Sequence, residues 1–420
     1  MKSNVRVLEI MEKEQICTFF QPIISLKTGS VFAYEALVRG VLPDSPDLIT
    51  PCELFSRARE ETVSHEFDRL CRKKALEQFR SFHTTSTALL FMNINTAIIG
   101  TGDDMDSPHI STITRQMGFV PEHVGLELIE SRAHSADDLI TFVNRYRSSG
   151  FLIVIDDFGC EHSNIDRLIQ IHPDIIKIDR TLISGIADDP YRQSIIKSIR
   201  SLAQMTGALC LAEGVETIDE IRACHVLGVD LFQGFAIACP SPDLETLEQH
   251  TRTRIREVQH SIRKDALDSL RIRRRLTGDI HILADWLIRQ IRSTPLAELH
   301  NVFEEFIAIN REIECVFLLD TSGIQISETI CSPVLAAQEK PTMFSPAKKG
   351  ADHSFKAFFA CFEALGIQRY LTDVYLSLAS GNLCRTFSVL INEHTDQNFI
   401  LCIDFLEETI KPPYTLNAVS

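Results

Sequence analysis

The sequence predicts an α/β protein: a (β/α)8 barrel over residues 1–245, a helical connector over 246–311 and a small α+β domain over 312–420. Three observations carry that expectation. Short apolar runs alternate with longer amphipathic ones through residues 1–240. Those apolar runs lack polar alternation, which implies strands buried on both faces and so a mostly parallel sheet covered by helices. After Cys239-Pro240-Ser241-Pro242 the register changes, first to charged helix and then, from residue 315, to strands joined by short turns.

The strand-like runs are Phe19–Leu26, Val31–Val38, Ala88–Ile94, Val124–Ile129, Phe151–Ile155, Ile175–Ile178, Leu209–Ala212 and Leu231–Phe235. Eight runs at this spacing suit a closed barrel. An open doubly wound sheet is the alternative, but it would carry a glycine-rich phosphate turn near its start, and none is present. Helical patterns lie between most runs, at Val63–Phe82, Ala136–Arg147, Tyr191–Met205 and Ile218–Leu227, with Gly150 and Gly207 where helices should stop. Residues 243–311 read as helix, with Leu283, Trp286, Leu287 and Ile291 forming an apolar stripe. Val316–Leu319 and Ile324–Ile330 then flank the turn 320–323, Tyr375–Leu378 and Leu383–Ile391 flank 379–382, and Phe399–Phe405 follows. A helix bearing Phe355, Phe358, Phe359 and Phe362 reads as core or interface.

Composition narrows the function. Forty-two Lys plus Arg against 57 Asp plus Glu leave a formal charge of −15, which argues against holding a nucleic-acid duplex by bulk electrostatics. An anionic substrate would then need positive charge from elsewhere, and a bound metal is the obvious source. The 12 cysteines include no Cys-x-x-Cys pair and mostly sit in apolar stretches, where free Cys behaves as a small hydrophobe. The start, MKSNVRVLEIMEKEQ, has no apolar signal segment, and no apolar run approaches the ~18 residues of a membrane span. The expectation is a cytoplasmic protein in a reducing compartment.

The polar residues at the strand ends form a series. Glu35 lies late in the second run, Asn93 ends the third, and Glu127 and Glu130 close the fourth. Asp156 and Asp157 follow the fifth, Lys177 ends the sixth, Glu213 the seventh and Gln233 the eighth. In a β/α barrel these ends converge on the face where active sites are built. So many carboxylates gathered without a cation would cost many kcal/mol, so they imply metal. Oxygen-only ligands (Glu35, Asn93, Glu127, Asp156, with Asp157 adjacent) suit Mg²⁺ or Mn²⁺, with Ca²⁺ as an inhibitory substitute, and argue against zinc. Asp156-Asp157 could serve two ions, as in two-metal phosphate-cleaving sites. Lys177 could fix the attacking water or counter transition-state charge, and Glu213 is a candidate general base.

The motifs resemble the EAL domain, the phosphodiesterases that open cyclic di-GMP. Glu35-Ala36-Leu37-Val38-Arg39 resembles its signature, Gln21-Pro22-Ile23 its opening strand and Phe91-Met92-Asn93-Ile94-Asn95 its asparagine strand. Glu127-Leu128-Ile129-Glu130, Asp156-Asp157-Phe158-Gly159, Lys177-Ile178-Asp179-Arg180, Glu213-Gly214-Val215-Glu216-Thr217 and Gln233-Gly234-Phe235 follow in family order across residues 10–245. The resemblance implies a barrel whose first strand is antiparallel and a site that hydrolyses cyclic di-GMP to linear pGpG. It implies Glu35, Asn93, Glu127 and Asp156 on one metal, Asp156 and Asp157 on a second, and catalytic roles for Glu35, Lys177 and Glu213. It also implies substrate contacts from Gln21, Arg39 and Gln233, and Glu130 as the brace of the loop after the double aspartate.

That loop departs from the family pattern: Cys160-Glu161-His162 stands where a second glycine is usual, and Glu161 would be strained if a positive φ were needed there. The alternative function is therefore a cyclic di-GMP receptor with little turnover. Beyond residue 310, Phe317–Gly323 and the segments around Arg369-Tyr370, Tyr375-Leu376-Ser377 and Thr386-Phe387 resemble a PAS- or Cache-like domain. The resemblance implies a sensory or dimerisation module that regulates the barrel, and a homodimer.

Overall fold

The computed structural model describes residues 6–41, 47–83, 86–100, 109–129, 135–160, 165–333, 344–392 and 398–406. The chain folds as two compact units, Met1–Lys264 and Asp265–Ser420. In the first, eight strands close a ring: β1 (Ile16–Ser25), β2 (Ser30–Val41), β4 (Leu89–Ile94), β5 (Val124–Leu128), β6 (Leu152–Phe158), β7 (Ile175–Ile178), β8 (Leu209–Ala212) and β9 (Leu231–Phe232). A two-residue β3 (Leu48–Ile49) lies on the outer edge of β2. β1 runs antiparallel to both β2 and β9, and the other neighbours from β2 to β9 are parallel. The barrel with a reversed first strand is thus the expected one.

Helices cover the ring and start where side chains can cap them. Thr217 and Glu220 form a reciprocal capping box for Ile218–Val226, Ser135 caps Ala136–Ser148, and Asp189 with Pro190 opens Pro190–Thr206. Gly207, at φ 81°, ends that last helix in a left-handed turn. A 50-residue helix, Leu244–Ser293, begins in the first unit, where Leu244, Leu247, Ile255, Val258 and Ile262 join the barrel core. Inside the ring, Ile23, Ala33, Phe91, Val154, Ile175, Leu211 and Leu231 form a separate apolar cluster, each 0–2% exposed. That plug is the floor on which the site stands.

The second unit contains an antiparallel sheet in the order β11-β10-β15-β14-β12, with β13 paired to β14. Its strands are β10 (Ile313–Asp320), β11 (Ile330–Cys331), β12 (Arg369–Leu371), β13 (Tyr375–Leu376), β14 (Leu383–Ile391) and β15 (Phe399–Leu406). Leu287 and Ile291 of the long helix pack on this sheet with Phe303 and Phe306, and Trp286 stacks on Phe306. Two expectations need correction. Of the run Ile324–Ile330 only Ile330 joins a strand, with Cys331, while Gln325 and Ile324 make isolated bridges to Leu319 and Asp352. Side chains share its ladder with two backbone bonds: Asp320 Oδ1 accepts from the amides of Ser322 and Ile324, and Ser327 Oγ accepts from the amide of Leu318, beside Asp320 N to Ile324 O and Ile326 N to Leu318 O. The aromatic helix spans Ala357–Leu365, so Phe355 falls outside it, 95% exposed. No helix among the described residues is long and apolar enough to cross a membrane.

Candidate active site

Two residues beyond the plug, on every strand of the ring, stands a polar side chain. Ala33 is followed by Glu35, Phe91 by Asn93, Gly125 by Glu127, Val154 by Asp156, Ile175 by Lys177, Leu211 by Glu213 and Leu231 by Gln233. Side chains two apart on a strand share a face, so an apolar floor dictates an inward polar layer just above it. On the reversed β1 the order inverts, and Gln21 precedes Ile23, opposite Glu35 in the β1–β2 register. Gly125 leaves room for a ring, since a Cβ there would stand 2.6 Å from Phe91.

Lys177 is the centre of the layer. Its Nζ, wholly buried, lies 3.0 Å from Asp156 Oδ1, 3.1 Å from Glu127 Oε1, 3.4 Å from Glu35 Oε2 and 3.6 Å from Glu213 Oε2. Asn93 Nδ2 donates to Glu35 Oε1 at 2.8 Å, and Gln233 Nε2 donates to Glu35 Oε2 at 2.6 Å. Gln233 Nε2 also reaches Gln21 Oε1 at 3.2 Å, and Gln21 Nε2 donates to the carbonyl of Ala238. Exposure rises from Glu127 at 0% through Asp156 at 10% to Glu213 at 30%, which locates the opening beside Glu213.

The electrostatics follow from crowding. Burial opposes the charged form of Glu35, but Lys177, Gln233 and Asn93 outweigh it and hold the carboxyl below its usual range. Burial and the neighbouring Glu35 push Glu127 well up. Burial, opposed by Lys177 and assisted by Asp156, pushes Glu213 up to about 8. Burial would discharge Lys177, yet Asp156, Glu127, Glu213 and Glu35 more than reverse it and keep the ammonium charged.

Adjacent residues on a strand face opposite ways, yet Asp156 and Asp157 serve one place. The β6–β7 register slips between Ile155 and Phe158, and Asp157 sits at φ 56°, a left-handed conformation that costs a non-glycine residue about 1 kcal/mol or more. The result brings one carboxylate oxygen each from Asp156, Asp157 and Glu213 within 4.8 Å of one another. Glu127 Oε2 is buried with no hydrogen-bond partner among the described residues. Four carboxylates around one ammonium, a fifth beside Asp156 and Glu213, and an orphaned carboxylate oxygen among them fit a hard divalent cation. Asp157→Asn, which keeps a side chain tolerant of positive φ, is expected to weaken Mn²⁺ binding at least about tenfold and leave the melting temperature unchanged. Calorimetric Mn²⁺ titration beside a thermal melt measures both.

Of the expected site residues, Gln21, Glu35, Asn93, Glu127, Asp156, Lys177, Glu213 and Gln233 form this connected layer, with Asp157 at its edge. Arg39 lies four residues beyond Glu35 on β2; its Nη1 donates to the Val38 carbonyl and its guanidinium carbon stands 5.7 Å from the Phe19 ring centre. Glu130, Glu161 and His162 lie outside the described residues. Sequence reasoning quotes Phe235 within Gln233-Gly234-Phe235 but gives it no role; its ring is 60% exposed, two residues past Gln233. The signal for it is an aromatic at the rim of a polar layer. Gly234 of the same motif has a steric reason: a Cβ there would meet the backbone oxygen of Val215 at 2.2 Å, so the loops after β8 and β9 interlock only through glycine.

Comparison with known proteins places this geometry. The family model described as EAL domain matches residues 5–240. Over 245 residues the chain is 27% identical to the cyclic di-GMP phosphodiesterase NbdA of Pseudomonas aeruginosa, covering 58% of this chain and 31% of that protein. It is 22% identical over 382 residues to the EAL-domain containing protein YkuI of Bacillus subtilis, covering 89% of this chain and 91% of that one. The crystal structure of YkuI in complex with substrate c-di-GMP and calcium superposes with a TM-score of 0.75 at 21% identity, over 96% of this chain and 99% of that chain. The chain spans about a third of the length of NbdA and, at 36%, of the phosphodiesterase PdeR of Escherichia coli.

Proposed function

The chain belongs to the EAL-domain family, and from that premise we propose that its barrel hydrolyses cyclic di-GMP to linear pGpG with Mg²⁺ or Mn²⁺ bound. The observation that carries the reading is the closed layer of carboxylates around Lys177, open to solvent at Glu213. NbdA and PdeR are named cyclic di-GMP phosphodiesterases, and YkuI was crystallised with c-di-GMP and calcium, which supports the same substrate here.

Glu35, Asn93, Glu127 and Asp156 would hold one ion, and Asp156 with Asp157 a second. Bound divalent ions supply Lewis acidity and a water of lowered pKa. Lys177 stays charged among the carboxylates, so it can orient the attacking water and offset charge developing on the phosphate. Glu213, the most exposed of the four carboxylates facing Lys177, accepts the proton that water gives up. Gln21, Gln233 and Arg39 orient the nucleotide. Control of turnover by the C-terminal unit, in a homodimer, belongs to the same reading.

The test is incubation of purified protein with cyclic di-GMP, with products separated by chromatography. Linear pGpG is expected with Mg²⁺ or Mn²⁺ and none with chelator. Hydrolysis that survives chelation, or none despite bound metal, overturns the reading. The same assay on a chain ending at Lys264, with mass from light scattering, addresses control: equal rate and equal mass would remove that part.

A further inference from the structure

The second unit carries an open-sided cavity of about 560 Å³, well away in sequence from the barrel residues and of a size that takes a small organic molecule. Its wall is largely apolar, with Phe317, Phe358, Val374 and Leu378, and the exposed Phe355 also lines it. One charged side chain within that wall is buried: Asp404 of β15, 4% exposed. Thr386 Oγ1 donates to Asp404 Oδ1 at 2.7 Å, and the Tyr375 hydroxyl stands 2.5 Å from Thr386 Oγ1 and 3.5 Å from the same carboxylate oxygen. Both contacts fall on Oδ1. Among the described residues Oδ2 takes no hydrogen bond, and no Lys, Arg or His forms an ion pair with Asp404.

The other charged groups of the wall do not answer Asp404. Lys356 and Asp373 are exposed. Gln325 Nε2 donates to Ser327 O and Thr329 Oγ1, which makes its Oε1 the acceptor, so His353 Nε2 at 2.9 Å carries the proton of a neutral ring. Burial, with Lys356 adding to it, lowers the His353 pKa and keeps that ring neutral. A carboxylate held in an apolar wall without a positive partner is costly, and a charged donor removes the cost. Consistent with this, burial, helped by Glu314 and resisted by Thr386 and Tyr375, pushes the Asp404 carboxyl up to about 7.

We propose that this cavity binds a small organic monocation, a protonated amine on an apolar body, with the ammonium seated on Asp404 and the body against Phe317 and Phe358. The site is independent of the barrel chemistry. Neutral molecules of the same shape are discriminated against because they leave the carboxylate unpaired.

The test is calorimetric titration of the full-length protein with tryptamine and with tryptophol, its neutral isostere. Tryptamine is expected to saturate one site at least about tenfold more tightly than tryptophol. Asp404→Asn should erase that preference, and Ala379→Trp, which fills the cavity and keeps the carboxylate, should abolish tryptamine binding, with thermal melts reporting the fold of both. Equal binding of the two probes, no saturation by tryptamine up to about 10 mM, or unchanged binding in Ala379→Trp overturns the proposal.

Discussion

Lys177→Met is expected to lose about 3–5 kcal/mol of stability in metal-free buffer and about 10²–10³-fold in turnover. The reasoning starts from the environment. Nζ is inaccessible to solvent and has four carboxylates within 3.6 Å. Methionine fills the same volume but leaves those carboxylates facing one another in a low dielectric, with only protonation to relieve them. Added Mn²⁺ should therefore restore more stability to the variant than it adds to the parent protein, because it replaces part of the missing charge. Denaturant unfolding with and without Mn²⁺, beside the pGpG assay, reads both quantities. A variant that melts and turns over like the parent would show that Lys177 is not the charge that holds the layer together. Arginine is no remedy, since a planar guanidinium does not fit a wholly buried point-charge site.

Glu35→Ala is expected to reduce turnover by at least about 10³-fold. It removes a proposed ion ligand and also the acceptor for Asn93, Gln233 and Lys177 at once. Each buried donor left unpaired costs about 1–3 kcal/mol, so a lower denaturation midpoint accompanies the loss of rate. Glu35→Gln separates shape from charge: its new amide nitrogen must point at one of three donors, so it too should be inactive while packing like glutamate. Turnover in Glu35→Gln within about threefold of the parent would overturn the assignment of Glu35 as an ion ligand.

The barrel and its polar layer were legible because both follow from period-two geometry. Runs such as Phe151–Ile155 announce burial on both faces, and Asp156 and Lys177 fall where such runs end. What stayed illegible depends on single backbone torsions or side-chain substitutions in a ladder. Nothing in the letters Asp156-Asp157 says that the second turns left-handed to face the same point as the first. Nor does Ile324–Ile330, apolar enough for a strand, disclose that Asp320 and Ser327 side chains would take a share of its hydrogen bonds. The Ala238 carbonyl that receives Gln21 is 217 residues away in sequence, and a backbone acceptor carries no residue type to read. In the C-terminal unit, Asp404 reads as one acid in an apolar strand. Only the sheet order brings it into one wall with Phe317 and Tyr375.

The plug beneath the polar layer turns the barrel into a blind-ended well. With Phe91, Ile175 and Leu211 shutting its floor, the described residues leave the layer open to solvent beside Glu213. Under the proposed function, spent product would depart by the side from which fresh substrate arrives. Linear product is then expected to compete with the next molecule to be cut, which pGpG added to the turnover assay would show as a raised KM at unchanged kcat.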